Sequence, residues 1–150
     1  VFLETVARLL RSGRECRAVL IGDGPERATL ETMIGKRGLA DHVRLEGQLP
    51  REDVLEWMRR SKILVHPARY ESFGFVFSEA LANGMTVLSR PVGAASASPR
   101  WKLCDSVEAF AAAARETLDG PPETEAMTVF SEDEAADALA GLYDHPEASR

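Results

Sequence analysis

The chain has 150 residues, of which 45% are apolar and 28% charged, a balance typical of globular domains. This length predicts one domain, residues 1–150, with enough chain for a sizeable core. With 18 basic and 24 acidic residues, the net charge of −6 argues against nonspecific binding to nucleic acid. No apolar run approaches the roughly 20 residues of a membrane-spanning helix, so we expect no transmembrane segment.

The two cysteines, Cys16 and Cys104, are too few for a disulfide framework, and neither has the spacing with histidine that is typical of zinc sites. We expect both thiols to be reduced and structural. No signal or transit peptide is recognisable, which proves little for a chain that does not begin with Met. We expect a cytoplasmic protein, with peripheral membrane contact of the parent protein left open. Because the chain begins at Val1 rather than Met, we expect it to be part of a longer protein.

Apolar periodicity predicts helices and strands in strict alternation over the first 90 residues. A glycine follows several predicted helices, as at Gly13 and Gly38, and Pro25 is placed in the first turn of another. The predicted elements are a helix over 2–10, a strand over 17–21, a helix over 25–37, a strand over 43–46, a helix over 51–60, a strand over 63–66, a helix over 73–82 that ends at Asn83-Gly84, and a strand over 86–89.

Two further helices are predicted over 107–118 and 132–143, with Gly120-Pro121-Pro122 as a break between them. Alternating strands and helices predict an α/β fold, a Rossmann-like parallel sheet flanked by helices, with ligands at the carboxyl ends of the strands. We expect the first strand of this fold to lie upstream of the chain.

Two carboxylates, Glu71 and Glu79, stand with seven residues between them around the start of a short, very apolar helix. Helical spacing surrounds Glu79 with aromatic and aliphatic side chains, so little of this helix is expected to face water. A carboxylate in such a place is costly unless donors meet it. Glu79 should therefore pair with a cation or accept hydrogen bonds from a bound molecule, and sugar or ribose hydroxyls would serve.

The spacing of Glu71 and Glu79 resembles the Glu, seven residues, Glu motif of the retaining family-4, or group 1, glycosyltransferases, in the nucleotide-sugar-binding C-terminal domain of their GT-B architecture. The similarity is continuous over about residues 1–92 and fades beyond Gly93. It also rests on four segments in the order that the family shows, namely Gly22-Asp23-Gly24-Pro25-Glu26-Arg27, Val43-Arg44-Leu45-Glu46-Gly47-Gln48-Leu49-Pro50, Ile63-Leu64-Val65-His66-Pro67-Ala68 and Ala80-Leu81-Ala82-Asn83-Gly84.

The resemblance implies a donor-binding domain, one half of a GT-B fold, that binds a UDP- or GDP-linked sugar without a metal or other cofactor. It implies that Glu79 accepts hydrogen bonds from the ribose hydroxyls and that Glu71, as the catalytic-site acid, accepts them from the donor sugar. Members use the loop that corresponds to Ser72-Phe73-Gly74-Phe75 on the diphosphate and sugar, and Leu49 is the candidate contact for the nucleobase. The acceptor would be held by a separate N-terminal domain.

Structural explanations compete with these roles. Glu71 alone would be explained by favourable chemistry at a helix start, Gly74 by tight packing, and Leu49 by a loop side chain tucked over the core. Gly22-Asp23-Gly24 is too short for a dinucleotide fingerprint and is interpreted as a turn. His66 ends a strand on the ligand side but is given no role, since a lone histidine is more often packed or solvated.

The chain departs from the family pattern in two places. Members place an Arg and a Lys against the donor diphosphate, in segments that precede the first predicted helix, and nothing at Arg8, Arg11 or Arg14 matches them. The segment over 91–99 lacks the family's Val-Gly-Gly turn and following glutamate. The alternative is therefore a noncatalytic Rossmann-like module that binds a nucleotide or a partner protein. A glycoside hydrolase is disfavoured, because its two carboxyls flank the scissile bond rather than share a helix and its entry loop.

Overall fold

A computed structural model of the protein describes residues 1–72, 74–93 and 95–121. Within them, five helices alternate with strands in the predicted α/β pattern. The elements in chain order are α1 (Phe2–Arg11), β1 (Ala18–Ile21), α2 (Arg27–Lys36), β2 (Val43–Gly47), α3 (Arg51–Arg60), β3 (Ile63–His66), α4 (Phe75–Ala82), β4 (Thr86–Ser89), β5 (Trp101–Leu103) and α5 (Val107–Asp119). The helix predicted over 132–143 lies outside the described residues.

Every strand pairing is parallel, as predicted, but the strands form two hydrogen-bonded groups rather than one sheet. β1 pairs with β2, and β3, β4 and β5 lie side by side in that order. The two groups are joined by side chains: Cys16 packs against the apolar clusters of both, and Leu9 of α1 packs with Leu88 of β4. Apolar burial therefore connects the halves in place of a continuous backbone ladder.

Two helices begin two residues later than the sequence prediction. Pro25 lies in a turn before α2, which begins at Arg27. The fourth helix begins at Phe75 rather than at residue 73, because Gly74 has a left-handed φ of 85° and ends the loop there. Gly84 follows α4 with a φ of 84°, as expected of a residue just past a helix end.

The short strand β5 was not predicted. Three residues are too few to show an alternating pattern, and the strand is held by tertiary packing of Trp101. The indole lies 4.9 Å from the ring of Phe77 and donates a hydrogen bond of 2.8 Å to the Ser89 hydroxyl. All three side chains are buried, which places the largest part of this core between α4 and the β3-β4-β5 sheet.

Both cysteines are free thiols, Cys104 buried and Cys16 partly buried. Burial is the main cause that raises the pKa of each above the ordinary thiol value. Protonated thiols are poor nucleophiles, in keeping with the structural role expected for them. Among the described helices, none combines the length and apolar character that crossing a bilayer requires.

The Ser89 hydroxyl is the partner of a buried indole, so we expect Ser89→Ala to lower the free energy of unfolding by about 1–3 kcal/mol, the cost of leaving a buried donor unsatisfied. Chemical denaturation measures this. Thr32→Ala is the matched control, because the Thr32 hydroxyl bonds to the Ala28 carbonyl on an exposed helix face and its loss should change stability by less than about 0.5 kcal/mol. Equal stabilities of the two variants would contradict this account of the core.

Candidate functional site

The predicted site residues gather at one edge of the β3-β4-β5 sheet. β3 ends at His66, and the loop that follows carries Glu71 and Ser72 to the start of α4. Because parallel strands end at the same edge, the segment after β4 emerges beside this loop. Helix α3 starts at Arg51, directly after the turn that contains Leu49. The edge is thus the predicted ligand side of an α/β fold.

The carboxylate of Glu71 is held on both sides. One oxygen, Oε1, accepts a hydrogen bond of 3.0 Å from the backbone N–H of Ser72, and the other, Oε2, lies 3.4 Å from Nε2 of His66. The His66 ring in turn meets Phe77 edge-on, with 4.7 Å between ring centroids. His66, given no role from sequence, is therefore the side chain that faces Glu71, and its place at the end of β3 is the signal that pointed there.

A glycine is required at position 74 by the backbone conformation there and by the close packing around it. Its φ of 85° is a left-handed conformation, which costs other residues about 1–2 kcal/mol. A Cβ at this position would clash with the ring of Phe77 and lie 3.2 Å from Cγ of Glu71. The packing explanation for Gly74 is thus supported, and the contact with diphosphate stays a prediction. The same close approach packs the start of α4 against the loop that carries Glu71.

Glu79 forms an ion pair with Arg51, with 2.5 Å between Arg51 Nη2 and Glu79 Oε1. The Glu79 side chain is 29% exposed and that of Arg51 is 74% exposed. Of the two partners expected for this carboxylate, the structure therefore supplies the cation. Sequence reasoning missed Arg51, although a cation at the first position of a helix was a usable signal, because the helix dipole disfavours positive charge there.

The helix is more open to solvent than its composition predicted. Within α4, Phe75 is 70% exposed and Glu79 is half-buried, while Phe77, Ala80 and Leu81 are buried, so the expectation that little of α4 faces water is met only in part. The reason is that only one face of α4 packs on the sheet, through Phe77 and its neighbours. Leu49 is half-buried and Ser72 exposed, while Phe73 lies outside the described residues.

A second cation missed from sequence, Arg90, lies at the same edge, just after β4. Its Nε donates to the Pro67 carbonyl over 3.2 Å, and its Nη1 donates to the Asp105 carbonyl over 2.8 Å. Arg90 thus ties the loop after β3 to the segment after β5. The sequence offered no motif for this role, since the bonds are to backbone atoms distant in the chain.

Two cavities among the described residues lie away from this edge. One, of about 570 Å3, is at the opposite edge of the sheet, near Lys62 and Thr86 where β3 and β4 begin, and the other, of about 330 Å3, lies beside α2. Within the described ranges, no group of three or more His, Cys, Asp or Glu side chains is arranged to hold a metal ion. The polar side chains of the candidate site are Glu71, His66, Glu79 and Arg51.

The parallel strands, the covering helices and an acidic site at the carboxyl edge define a Rossmann-like α/β domain. Similar solved structures include sucrose-phosphate synthase from Thermosynechococcus elongatus, with a TM-score of 0.71 and 23% identity over 99% of this chain and 43% of that chain. Another is Anabaena HepE, solved in complex with UDP and glucose, with a TM-score of 0.65 and 20% identity over 90% of this chain and 39% of that one. They confirm the predicted fold, one half of a GT-B architecture.

The sequence model described as glycosyl transferases group 1 matches residues 1–129. The chain therefore belongs to the group 1 glycosyltransferase family, as its motifs predicted. Among curated relatives, the alpha-D-kanosaminyltransferase of Streptomyces kanamyceticus is 32% identical over 95% of this chain and 41% of its own length. The D-inositol 3-phosphate glycosyltransferase of Streptomyces coelicolor is 30% identical over 95% of this chain and 36% of its own length. The chain thus spans about two fifths of these relatives.

Because Gly74 combines a left-handed backbone with contact to Phe77, we expect Gly74→Ala to lower the free energy of unfolding by about 2–4 kcal/mol, the sum of backbone strain and overpacking. Gly35→Ala is the matched control: this glycine is in α2 with nothing within 4 Å of an added Cβ, and alanine should hold or slightly raise stability. Thermal unfolding compares the two, and a Gly74→Ala protein as stable as the parent would refute the packing argument.

Proposed function

We propose that this chain is the donor-binding domain of a glycosyltransferase that moves a sugar, with retention of anomeric configuration and without a metal ion, from a nucleoside diphosphate sugar to an acceptor. One observation carries the proposal. The two motif glutamates of a group 1 glycosyltransferase domain lie where the loop after β3 enters α4, at the sheet edge where α/β folds bind ligands.

The two glutamates suit hydroxyl-rich ligands. An ionised carboxylate is an acceptor only and takes hydrogen bonds from vicinal hydroxyl groups, and bonds to charged acceptors are stronger than neutral ones. Glu71 has its two oxygens held by Ser72 and His66, so it is oriented before any sugar arrives. We assign Glu79 to the ribose hydroxyls and Glu71 to the donor sugar.

The start of α4 supplies the complementary site for an anion. The first backbone N–H groups of a helix have no partner within it and lie at the positive end of its dipole, an arrangement that favours phosphate. The tight turn at Gly74 brings this backbone next to Glu71. We therefore assign the donor diphosphate to the segment 72–75, with the nucleobase against Leu49, which lies in the turn before Arg51.

Sugar transfer needs the second domain that we propose for the parent protein. Such a reaction needs donor and acceptor held together with water excluded, and the residues proposed for the donor all belong to this one domain. The chain spans 41% of the kanosaminyltransferase it resembles, which leaves room for an acceptor domain in the parent. The group that neutralises the leaving diphosphate would come from that part as well.

Glu79→Ala should weaken binding of the nucleoside diphosphate by about 1–3 kcal/mol, because hydrogen bonds to a charged acceptor are lost. Isothermal titration calorimetry with uridine, guanosine and adenosine diphosphates measures this and identifies the nucleobase. Glu56→Ala is the matched control, since Glu56 is an exposed acid on α3 that pairs with Arg59 over 3.0 Å. Affinity unchanged in Glu79→Ala, or lowered equally by both substitutions, would count against the assignment.

The isolated chain should bind donor or nucleotide without turning it over. Incubation with radiolabelled nucleotide sugars and a panel of acceptors tests this, with release of free sugar scored separately. Transfer by the 150-residue chain alone would show that the site is complete without a second domain, and would overturn this part of the proposal.

A second candidate, a binding module without catalysis, is favoured by one observation: Arg51 already satisfies Glu79 without a ligand. The nucleotide titration separates the two. Selective binding of one diphosphate that depends on Glu79 supports the transferase domain, whereas failure to bind all three supports a module that contacts a partner protein instead.

A further inference from the structure

Arg51 occupies a position that its own helix does not favour. It is the first residue of α3, where the dipole places positive charge and where the acids Glu52 and Asp53 follow as expected. A cation there is locally unfavourable, and the Arg51 side chain is 74% exposed, so burial does not explain it either. The contact that accounts for the placement is the ion pair with Glu79.

The pair also lies across the proposed nucleotide site. Arg51 follows the turn with Leu49, which we assign to the nucleobase, and Glu79 is assigned to the ribose attached to that base. A ribose that donates one hydroxyl to each oxygen of the Glu79 carboxylate would use Oε1, the oxygen that Arg51 contacts at 2.5 Å, so the guanidinium and the ribose approach the same acceptor atom.

We propose that Arg51 is a competitor for the ribose subsite: its guanidinium occupies Glu79 in the free protein and must be displaced when a nucleotide binds. The inference rests on the proposed function, since it takes Glu79 as the ribose acceptor. Arg51 thereby sets the affinity of the site through the free energy of the pair that must be broken.

The expected size of the effect is modest. Ion pairs between exposed side chains contribute at most about 1 kcal/mol, because water screens them and two long side chains lose freedom, and about 1 kcal/mol corresponds to fivefold in a dissociation constant. Removing Arg51 should therefore tighten binding by about two- to fivefold. The direction of the change in affinity is the test, since removing a residue that helped to hold the nucleotide would weaken binding.

The probe is an uncharged nucleoside, either uridine, guanosine or adenosine, matched to the diphosphate that the chain binds. A diphosphate would be attracted by any nearby arginine and so would hide competition at the ribose. Dissociation constants are measured by NMR chemical-shift titration for the full chain and for Arg51→Ala, Glu79→Gln and the double variant. We expect tighter binding in Arg51→Ala, weaker binding in Glu79→Gln, and no further change when Arg51→Ala is added to Glu79→Gln.

Arg59→Ala is the matched control. Arg59 is an exposed arginine at the other end of the same helix, paired with exposed Glu56, and its removal changes the net charge by the same amount. It should leave the nucleoside affinity unchanged. Tightening in both arginine variants would show a general charge effect and overturn the proposal.

The dependence of nucleoside affinity on salt concentration gives an independent test. Added sodium chloride screens the Arg51–Glu79 attraction, so the affinity of the parent chain for the neutral nucleoside should rise with salt while that of Arg51→Ala stays level. The inference would be overturned if removal of Arg51 weakened nucleoside binding, or if the affinity of the parent chain did not change with salt concentration.

Failure of the inference is distinguishable from failure of the proposed function. If the parent chain binds nucleotide, Glu79→Gln weakens it and Arg51→Ala leaves it unchanged, the function stands and the competition is refuted. If no nucleotide or nucleoside binds, both are overturned. The ion pair itself is checked without ligand, since Arg51→Ala and Glu79→Gln should shift the melting temperature non-additively, and strict additivity would refute the pair.

Discussion

The geometry of the candidate site depends on the buried ring of Phe77. This ring, fully enclosed in the core, lies close enough to Gly74 that no larger residue fits there, meets His66 edge-on and contacts Trp101 of β5. Through these neighbours one apolar side chain determines where α4 starts, where the imidazole beside Glu71 lies and how β5 packs. Close packing transmits position in this way because interiors have few voids to absorb a shift.

The fold was largely predictable from sequence, and the misses share a physical cause. β3, α3 and β4 follow from local apolar patterns, and the structure has them at the predicted residues. β5 did not follow, since three residues carry no period and Trp101 is held by tertiary contact. At the site, motif spacing led to Glu71 and Glu79, whereas Arg51 and Arg90 were missed because their partners are distant in sequence and only the fold brings them together. His66 was considered and given no role, although its partner Glu71 is only five residues away.

The Glu79 carboxylate has one set of hydrogen-bond donors in the free protein and a different set in the proposed complex. Glu79 is half-buried on α4, and a carboxylate in that position needs donors at all times. The free protein provides them from Arg51, and the proposed complex provides them from ribose. An arginine with an exposed stem suits the first role, since it returns to water at little cost when it is displaced.

Arg90 makes one side of the candidate site more rigid than the other. Its guanidinium donates hydrogen bonds to the main-chain carbonyls of Pro67 and Asp105, so the loop that carries Glu71 is tied to the segment after β5. On the other side of the site, α3 reaches Glu79 of α4 through the exposed side chain of Arg51. If the proposed donor binds here, ligands of different size would be accommodated by movement of the Arg51 side chain, while the loop around Glu71 keeps its position.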